Sequence, residues 1–75
     1  MTIGQSIRFY REYNGMTLKE VSEKIHIPFQ NIHRYEKGIY KPKRKRYIEL
    51  VKAVHIPHEI ASQFYRMESI EDLCA

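Results

Sequence analysis

The chain has little of several features that define common classes of small protein. It contains a single cysteine, Cys74, and no tryptophan. One thiol cannot form a disulfide within its own chain, so a disulfide-stapled scaffold is excluded and a reducing cytoplasm is expected. No apolar run approaches the ~20 residues that a membrane-spanning helix needs. The N-terminus also lacks the basic and apolar stretches of a signal peptide. We therefore expect a soluble, cytoplasmic protein.

Patterns that carry catalysis or hold cofactors are also missing. With three glycines in 75 residues, the chain has no glycine-rich loop for a phosphate group. The four histidines and Cys74 match no zinc-ligand spacing, and no local spacing places a nucleophile beside a base. The sequence predicts no enzyme, no metal, no cofactor and no small-molecule ligand.

The short chain limits the core. We predict one domain spanning residues 1–75, and a domain this small hides only roughly 60% of the surface that its unfolded chain exposes. Small domains without disulfides or metals usually depend on compact helix packing, on a partner subunit, or on both. A homodimer is therefore expected.

Charge is unevenly distributed along the chain. The net charge is +4, but seven Lys or Arg residues stand between Arg34 and Arg46 against Glu36 alone, a local net charge of +6. From Glu59 to Ala75 the local net charge is −3. A basic cluster of this kind favours binding to a polyanion, although a merely solvated face is the alternative.

Apolar residues recur at helical spacing throughout, which predicts an all-α fold of five short helices. The predicted ranges are about 3–13, 17–25, 28–37, 43–54 and 57–75. Four tyrosines lie at inward helical positions and are predicted to be core aromatics rather than a stacking platform for single strands. They are Tyr10, Tyr13, Tyr35 and Tyr47.

Local signals mark where these helices begin and end. Thr17 and Glu20 have the spacing of a capping box. His26 and His55 each precede an Ile-Pro pair, and His tolerates the left-handed conformation that ends a helix. The proline of each pair is then expected to be the first residue of the next helix.

The order of these elements is that of a helix-turn-helix. The strings IGQSIR (3–8), GMT (15–17), IHRYEKG (32–38) and KP (41–42) resemble the XRE family of phage repressor and Cro-type domains, over roughly residues 3 to 60. The resemblance implies a compact, five-helix, lambda-repressor-like fold. It also implies a bacterial or phage transcriptional regulator, such as a repressor, that binds a pseudo-palindromic operator in double-stranded DNA. The length is similar to that of small restriction-modification controllers and phage regulators.

The resemblance also assigns roles to residues of this chain. The recognition helix, about 28–37, would lie in the major groove. The base-reading candidates are Gln30 and Arg34, then Phe29, with Asn31 and His33 beside them. Gln pairs with adenine, Arg with guanine, and a phenyl ring contacts a thymine methyl group. The phosphate-binding candidates are Lys19, Lys37, Tyr40, Lys41, Lys43 and Arg44. Arg11 and Glu36 would form a structural pair.

Two departures from the family pattern and two alternatives bear on this assignment. Leu18 replaces a phosphate-binding Gln, while His26 and Pro28 replace a Gly and a Ser of the turn. Phe29 is as compatible with burial against the second helix as with contact to DNA. An interaction module of the same fold, such as an antitoxin or antirepressor, is the alternative function.

The end of the chain carries more apolar side chains than a thin core needs. We expect the fifth helix to form the dimer contact, and the alternative is a helix folded back on its own subunit. The candidate contact residues are Phe64, Met67, Ile70 and Leu73.

Overall fold

The computed structural model describes residues 1–65, and within that range the chain forms five α-helices and no β-strand. The helices are α1 (Ile3–Tyr13), α2 (Leu18–Ile25), α3 (Phe29–Lys37), α4 (Arg44–Val54) and α5 (His58–Ala61). The prediction of an all-α, five-helix fold is confirmed.

The core lies where the first four helices meet. The helix α1 packs against α3 and α4, and α2 packs against the same two helices. Each contributes side chains that are fully buried, among them Ile7, Val21, Ile32, Leu50 and Tyr47. Burial raises the pKa of the Tyr47 hydroxyl above its usual value, and the Ser6 hydroxyl partly offsets this effect. The helix α3 is thus held against the core by α1 and α2, which both pack on α4 in turn.

A glycine allows α1 to approach α3 closely. A β-carbon on Gly4 would meet the backbone carbonyl oxygen of Tyr35 and lie 2.7 Å from that of Glu36. Both oxygens belong to the backbone of α3, so they cannot move aside as a flexible side chain would. The angle and distance between α1 and the C-terminal half of α3 therefore depend on residue 4 being a glycine.

Two capping boxes start helices in the structure. In the predicted one, the Glu20 backbone N–H donates to Thr17 Oγ1, and the Thr17 N–H donates to Glu20 Oε1, both at 3.1 Å. The second was not predicted and starts α1, where Thr2 and Gln5 exchange the same bonds at 3.1 and 2.8 Å. The signal was present as Thr-x-x-Gln.

The two His-Ile-Pro junctions have the expected left-handed residue. His26 has φ 58° and His55 has φ 61°. The prolines, however, lie one position earlier than predicted. Pro28 and Pro57 have extended ψ values of 138° and 145° and precede the first helical residue. Either position suits proline, because the N–H groups at a helix start have no partner within the helix.

The fifth helix is shorter than predicted within the described residues. It ends at Ala61, and turns follow to Tyr65. The rings of Phe64 and Tyr65 lie 6.2 and 5.5 Å from the ring of Tyr47. Successive side chains of a helix diverge by about 100°, so two neighbours that contact one ring favour a turn. Three dimer candidates, Met67, Ile70 and Leu73, lie outside the described residues.

One of the predicted core aromatics is exposed. Tyr47 is buried and Tyr10 and Tyr35 are half-buried, but Tyr13 is 76% exposed. It stacks on Phe9 with 6.1 Å between ring centroids. The prediction was wrong because Tyr13 follows Phe9 by four residues and so lies on that outer face of α1.

Candidate nucleic-acid interface

The pair of helices α2 and α3 is joined by three residues, His26 to Pro28. The left-handed His26 reverses the chain, and the Ser22 hydroxyl donates to the carbonyl of Ile27. Ile27 is itself buried, so it fixes the junction to the core. These contacts set a tight corner between the two helices and present α3 at the surface.

One side of α3 is buried and the other is open to solvent. Ile32 is fully buried and Tyr35 is half-buried, which holds the helix on the core. Gln30, Arg34 and Lys37 are exposed on the opposite side. Their spacing of four and three residues places them along one face. This face is polar and cationic, and it contains the two residues predicted first as base readers.

Arg34 is held in place by its neighbours. Its Nη1 donates to Asn31 Oδ1 at 3.2 Å, and its guanidinium carbon lies 5.7 Å from the centroid of the Tyr40 ring. Asn31 is half-buried. A guanidinium has five N–H donors, and this bond uses one of them. The arrangement joins Asn31 and Arg34, two predicted base readers, to Tyr40, a predicted phosphate ligand.

Phe29 and His33 face the start of α2 rather than the group formed by Asn31, Arg34 and Tyr40. Phe29 is 48% exposed and borders a cleft of about 790 Å³ together with Met16 and Leu18. His33 lines a smaller cavity of about 240 Å³, where Leu18 is again present. The five predicted base readers therefore divide into two groups, on adjacent sides of the helix.

Cationic residues lie at both ends of α3. Lys19, in the first turn of α2, borders the same cleft as Phe29 at the N-terminal end. At the other end, the remaining predicted phosphate ligands are exposed at the last residue of α3, along the loop and at the start of α4. They are Lys37, Tyr40, Lys41, Lys43 and Arg44. The exposed face of α3 is thus flanked by positive charge on two sides.

Several contacts fix the conformation of the basic loop between α3 and α4, residues 38–43. Gly38, at φ 79°, ends α3, and the N–H of Ile39 donates to the carbonyl of Arg34 at 3.0 Å. Pro42 is buried in the middle of the loop. The Tyr65 hydroxyl donates to the Pro42 carbonyl at 2.5 Å. Sequence reasoning missed Tyr65, because no local pattern indicates a contact across 23 residues.

Arg11 and Glu36 form a two-point ion pair. Arg11 Nε donates to Glu36 Oε2 at 2.6 Å, and Nη2 donates to Oε1 at 3.1 Å. The remaining nitrogen, Nη1, donates to the Met16 carbonyl at 2.8 Å. The hydrogen bonds with Glu36 raise the pKa of Arg11 above its usual value, although burial works against them. The pair ties α1 and the turn before α2 to the end of α3.

Other kinds of site are not apparent in the described part of the chain. Among residues 1–65, no helix is long and apolar enough to cross a membrane. In the same range, no three His, Cys, Asp or Glu side chains are grouped as a metal site requires.

Comparison with known families agrees with this geometry. A family model described as helix-turn-helix, of the XRE type, matches residues 7–60. The matched segment runs from the second turn of α1 into α5 and contains α2, the junction, α3 and the basic loop. Neither a curated protein nor a solved structure matches the chain. The chain therefore belongs to the XRE family of DNA-binding helix-turn-helix regulators.

Proposed function

We propose that this protein is a sequence-specific transcriptional regulator that places α3 in the major groove of duplex DNA. The observation that carries the proposal is the exposed polar face of α3 between two groups of cations. A helix fits the major groove of B-DNA, and cations on either side can then contact the phosphates that border it.

Gln30 and Arg34 are the strongest candidates among the proposed base-reading residues. Both are exposed on the open face of α3, where Gln suits adenine and Arg suits guanine. Asn31 positions Arg34 through their hydrogen bond. Phe29 and His33, on the adjacent side, would contact a neighbouring base step, and the phenyl ring of Phe29 suits a thymine methyl group.

The lysines and Arg44 anchor the protein without reading sequence. Lys19 would contact one phosphate strand near the start of α3, and the basic loop would contact the other side of the groove. Tyr40, 52% exposed, has a hydroxyl group that can donate to a phosphate oxygen. Such contacts fix register and orientation on the duplex.

The protein would bind its operator as a homodimer. Two copies of one reading helix recognise half-sites related by a two-fold axis and separated by about 34 Å. Phe64 packs partly on its own core. The proposed dimer contact therefore depends mainly on Met67, Ile70 and Leu73.

An interaction module of the same fold is the second candidate. The apolar cleft bordered by Met16, Leu18 and Phe29 favours it, because apolar clefts suit protein side chains as well as DNA methyl groups. In that case the main partner would be a protein, and binding to any duplex would be weak.

Selection of bound sequences from a random duplex pool tests the proposal. The expected result is a pseudo-palindrome whose half-sites lie about one helical turn apart. Gln30→Ala and Arg34→Ala should relax the selected sequence at one position each, whereas Lys43→Ala should weaken binding to all sequences alike. If no duplex is enriched, the second candidate is favoured. If the two kinds of variant behave identically, the assigned roles are wrong.

A further inference from the structure

The last described residue is fixed beside the basic loop. Tyr65 donates to the carbonyl of Pro42, and the Lys41 ammonium lies 5.2 Å from the centroid of its ring. The Tyr65 ring also lies 5.5 Å from that of Tyr47, so it is held from the core side as well. Residues 66–75, which we call the tail, therefore start next to the proposed phosphate-binding residues.

A groove of about 690 Å³ opens at this loop. Ile39 and Tyr40 line it, although they are 66% and 52% exposed and so present apolar surface to solvent. Three lysines surround that surface, namely Lys41, Lys43 and Lys45. Glu49 also lines the groove, but it is paired with Arg46 at 3.0 Å. The groove therefore offers apolar surface surrounded by positive charge.

The tail has the complementary chemistry. Its acidic residues, Glu68, Glu71 and Asp72, outnumber its one basic residue, Arg66. Its apolar residues, Met67, Ile70 and Leu73, alternate with the acids. An extended chain spans about 3.3 Å per residue, so Glu68 can lie within about 10 Å of Tyr65. The tail is therefore long enough to reach the lysines of the groove.

We propose that, in the absence of DNA, the tail binds in the groove of its own chain. Its acidic side chains pair with Lys41, Lys43 and Lys45, and its apolar side chains cover Ile39 and Tyr40. The regulatory consequence rests on the proposed function, since two of these lysines are proposed phosphate ligands. Tail and DNA then compete for one surface, and DNA releases Met67, Ile70 and Leu73 for the dimer contact.

Competition of this kind has a distinctive signature. Phosphate contacts are common to operator and random duplexes, so a bound tail lowers the affinity for both by the same factor. Exposed ion pairs weaken as salt screens them, and the screening length falls to about 3 Å at 1 M salt. The effect of the tail should therefore disappear at high salt.

The sole cysteine, Cys74, allows binding of the tail to be tested without DNA. A nitroxide spin label on Cys74 of the full-length protein should broaden the amide NMR signals of Ile39, Tyr40 and Lys45. The variant Glu68→Gln/Glu71→Gln/Asp72→Asn should lose this broadening. Absence of broadening at the groove would overturn the proposal. Broadening that is found only between labelled and unlabelled molecules would overturn it in favour of a second copy.

The same charge variant tests the competition. At low salt it should bind both operator and random duplexes about 3- to 30-fold more tightly than the natural sequence, as three exposed ion pairs imply. The matched control, Glu12→Gln/Glu23→Gln/Glu59→Gln, changes the net charge equally and should gain clearly less. Equal gains by both variants would overturn the competition. If neither protein binds any duplex, the proposed function fails, while the NMR result on tail binding still stands.

Discussion

The Arg11–Glu36 pair links the end of α3 to α1 and to the turn before α2. The exposed fractions of the two side chains are 12% and 3%, and the guanidinium donates to the carboxylate twice and to the Met16 carbonyl once. Removing one partner of a buried pair leaves an unpaired charge, which costs more than the pair contributes.

Glu36→Ala should therefore lower the free energy of unfolding by about 3–5 kcal/mol, measured by chemical denaturation. For a domain of this size that is a large fraction of the total stability. The double variant Arg11→Met/Glu36→Leu removes both charges and should lose less than Glu36→Ala alone.

The exposed pair between Arg8 and Glu12 is the matched control. Its nitrogen and oxygen lie 3.2 Å apart on one helix, and its side chains are 57% and 55% exposed. Arg8→Ala should cost no more than about 0.5 kcal/mol. Similar losses in Arg8→Ala and Glu36→Ala would show that burial does not determine the contribution of the Arg11–Glu36 pair.

Local rules were sufficient for several individual residues. The left-handed conformations of His26 and His55 follow from the residues that surround them, as does the bond exchange between Thr17 and Glu20. The hydrogen bond of Tyr65 to the Pro42 carbonyl joins residues far apart in the sequence. No sequence pattern indicates such a contact.

The close approach of α1 to α3 depends on the absence of a side chain at Gly4. Gly4→Ala should destabilise the protein by about 1–3 kcal/mol through overpacking, because its β-carbon would meet two backbone oxygens. Since the change moves α3 relative to α1, it should also weaken binding to an operator. Thermal unfolding and a DNA titration measure the two effects.

Gly15→Ala supplies a comparison with the same chemical change. Gly15 has φ 68°, and a β-carbon there meets nothing within 4 Å. Its cost arises from backbone conformation alone, about 1–2 kcal/mol. It should reduce stability but leave operator affinity unchanged at temperatures where the protein is folded. Equal losses of affinity in both variants would contradict the proposed role of Gly4.

The positions of the helices could be predicted because apolar residues at helical spacing indicate each helix and capping residues indicate its ends. The bounds of α1 match the prediction, and α3 and α4 begin one residue later than expected. The prediction of a continuing helix failed for residues 62–65, where Phe64 keeps the apolar spacing but packs on Tyr47 from a turn, as does its neighbour Tyr65. Periodicity records which residues are apolar, and tertiary contacts decide whether the helix continues.

The charge distribution of the entire domain supports the DNA-binding assignment better than the net charge does. The segment from Arg34 to Arg46 has a local net charge of +6. In the fold it forms the end of α3, the loop after it and the start of α4, next to the exposed face of α3. The position of the basic residues in the chain is read directly from the sequence, and the family resemblance predicts that they lie near α3. It could not predict that Tyr65 and Pro42 hold the loop in place.

Salt dependence of DNA binding tests this distribution. Five of the proposed phosphate ligands are charged, and each should release about 0.9 counterion, so the logarithm of the binding constant should fall steeply with the logarithm of salt. Lys43→Ala should reduce the slope by about 1 per subunit. Gln30→Ala should lower operator affinity and leave the slope unchanged, because Gln30 carries no charge. An unaltered slope in Lys43→Ala would remove this lysine from the phosphate ligands and shift the anchoring role to Lys37, Lys41 and Arg44.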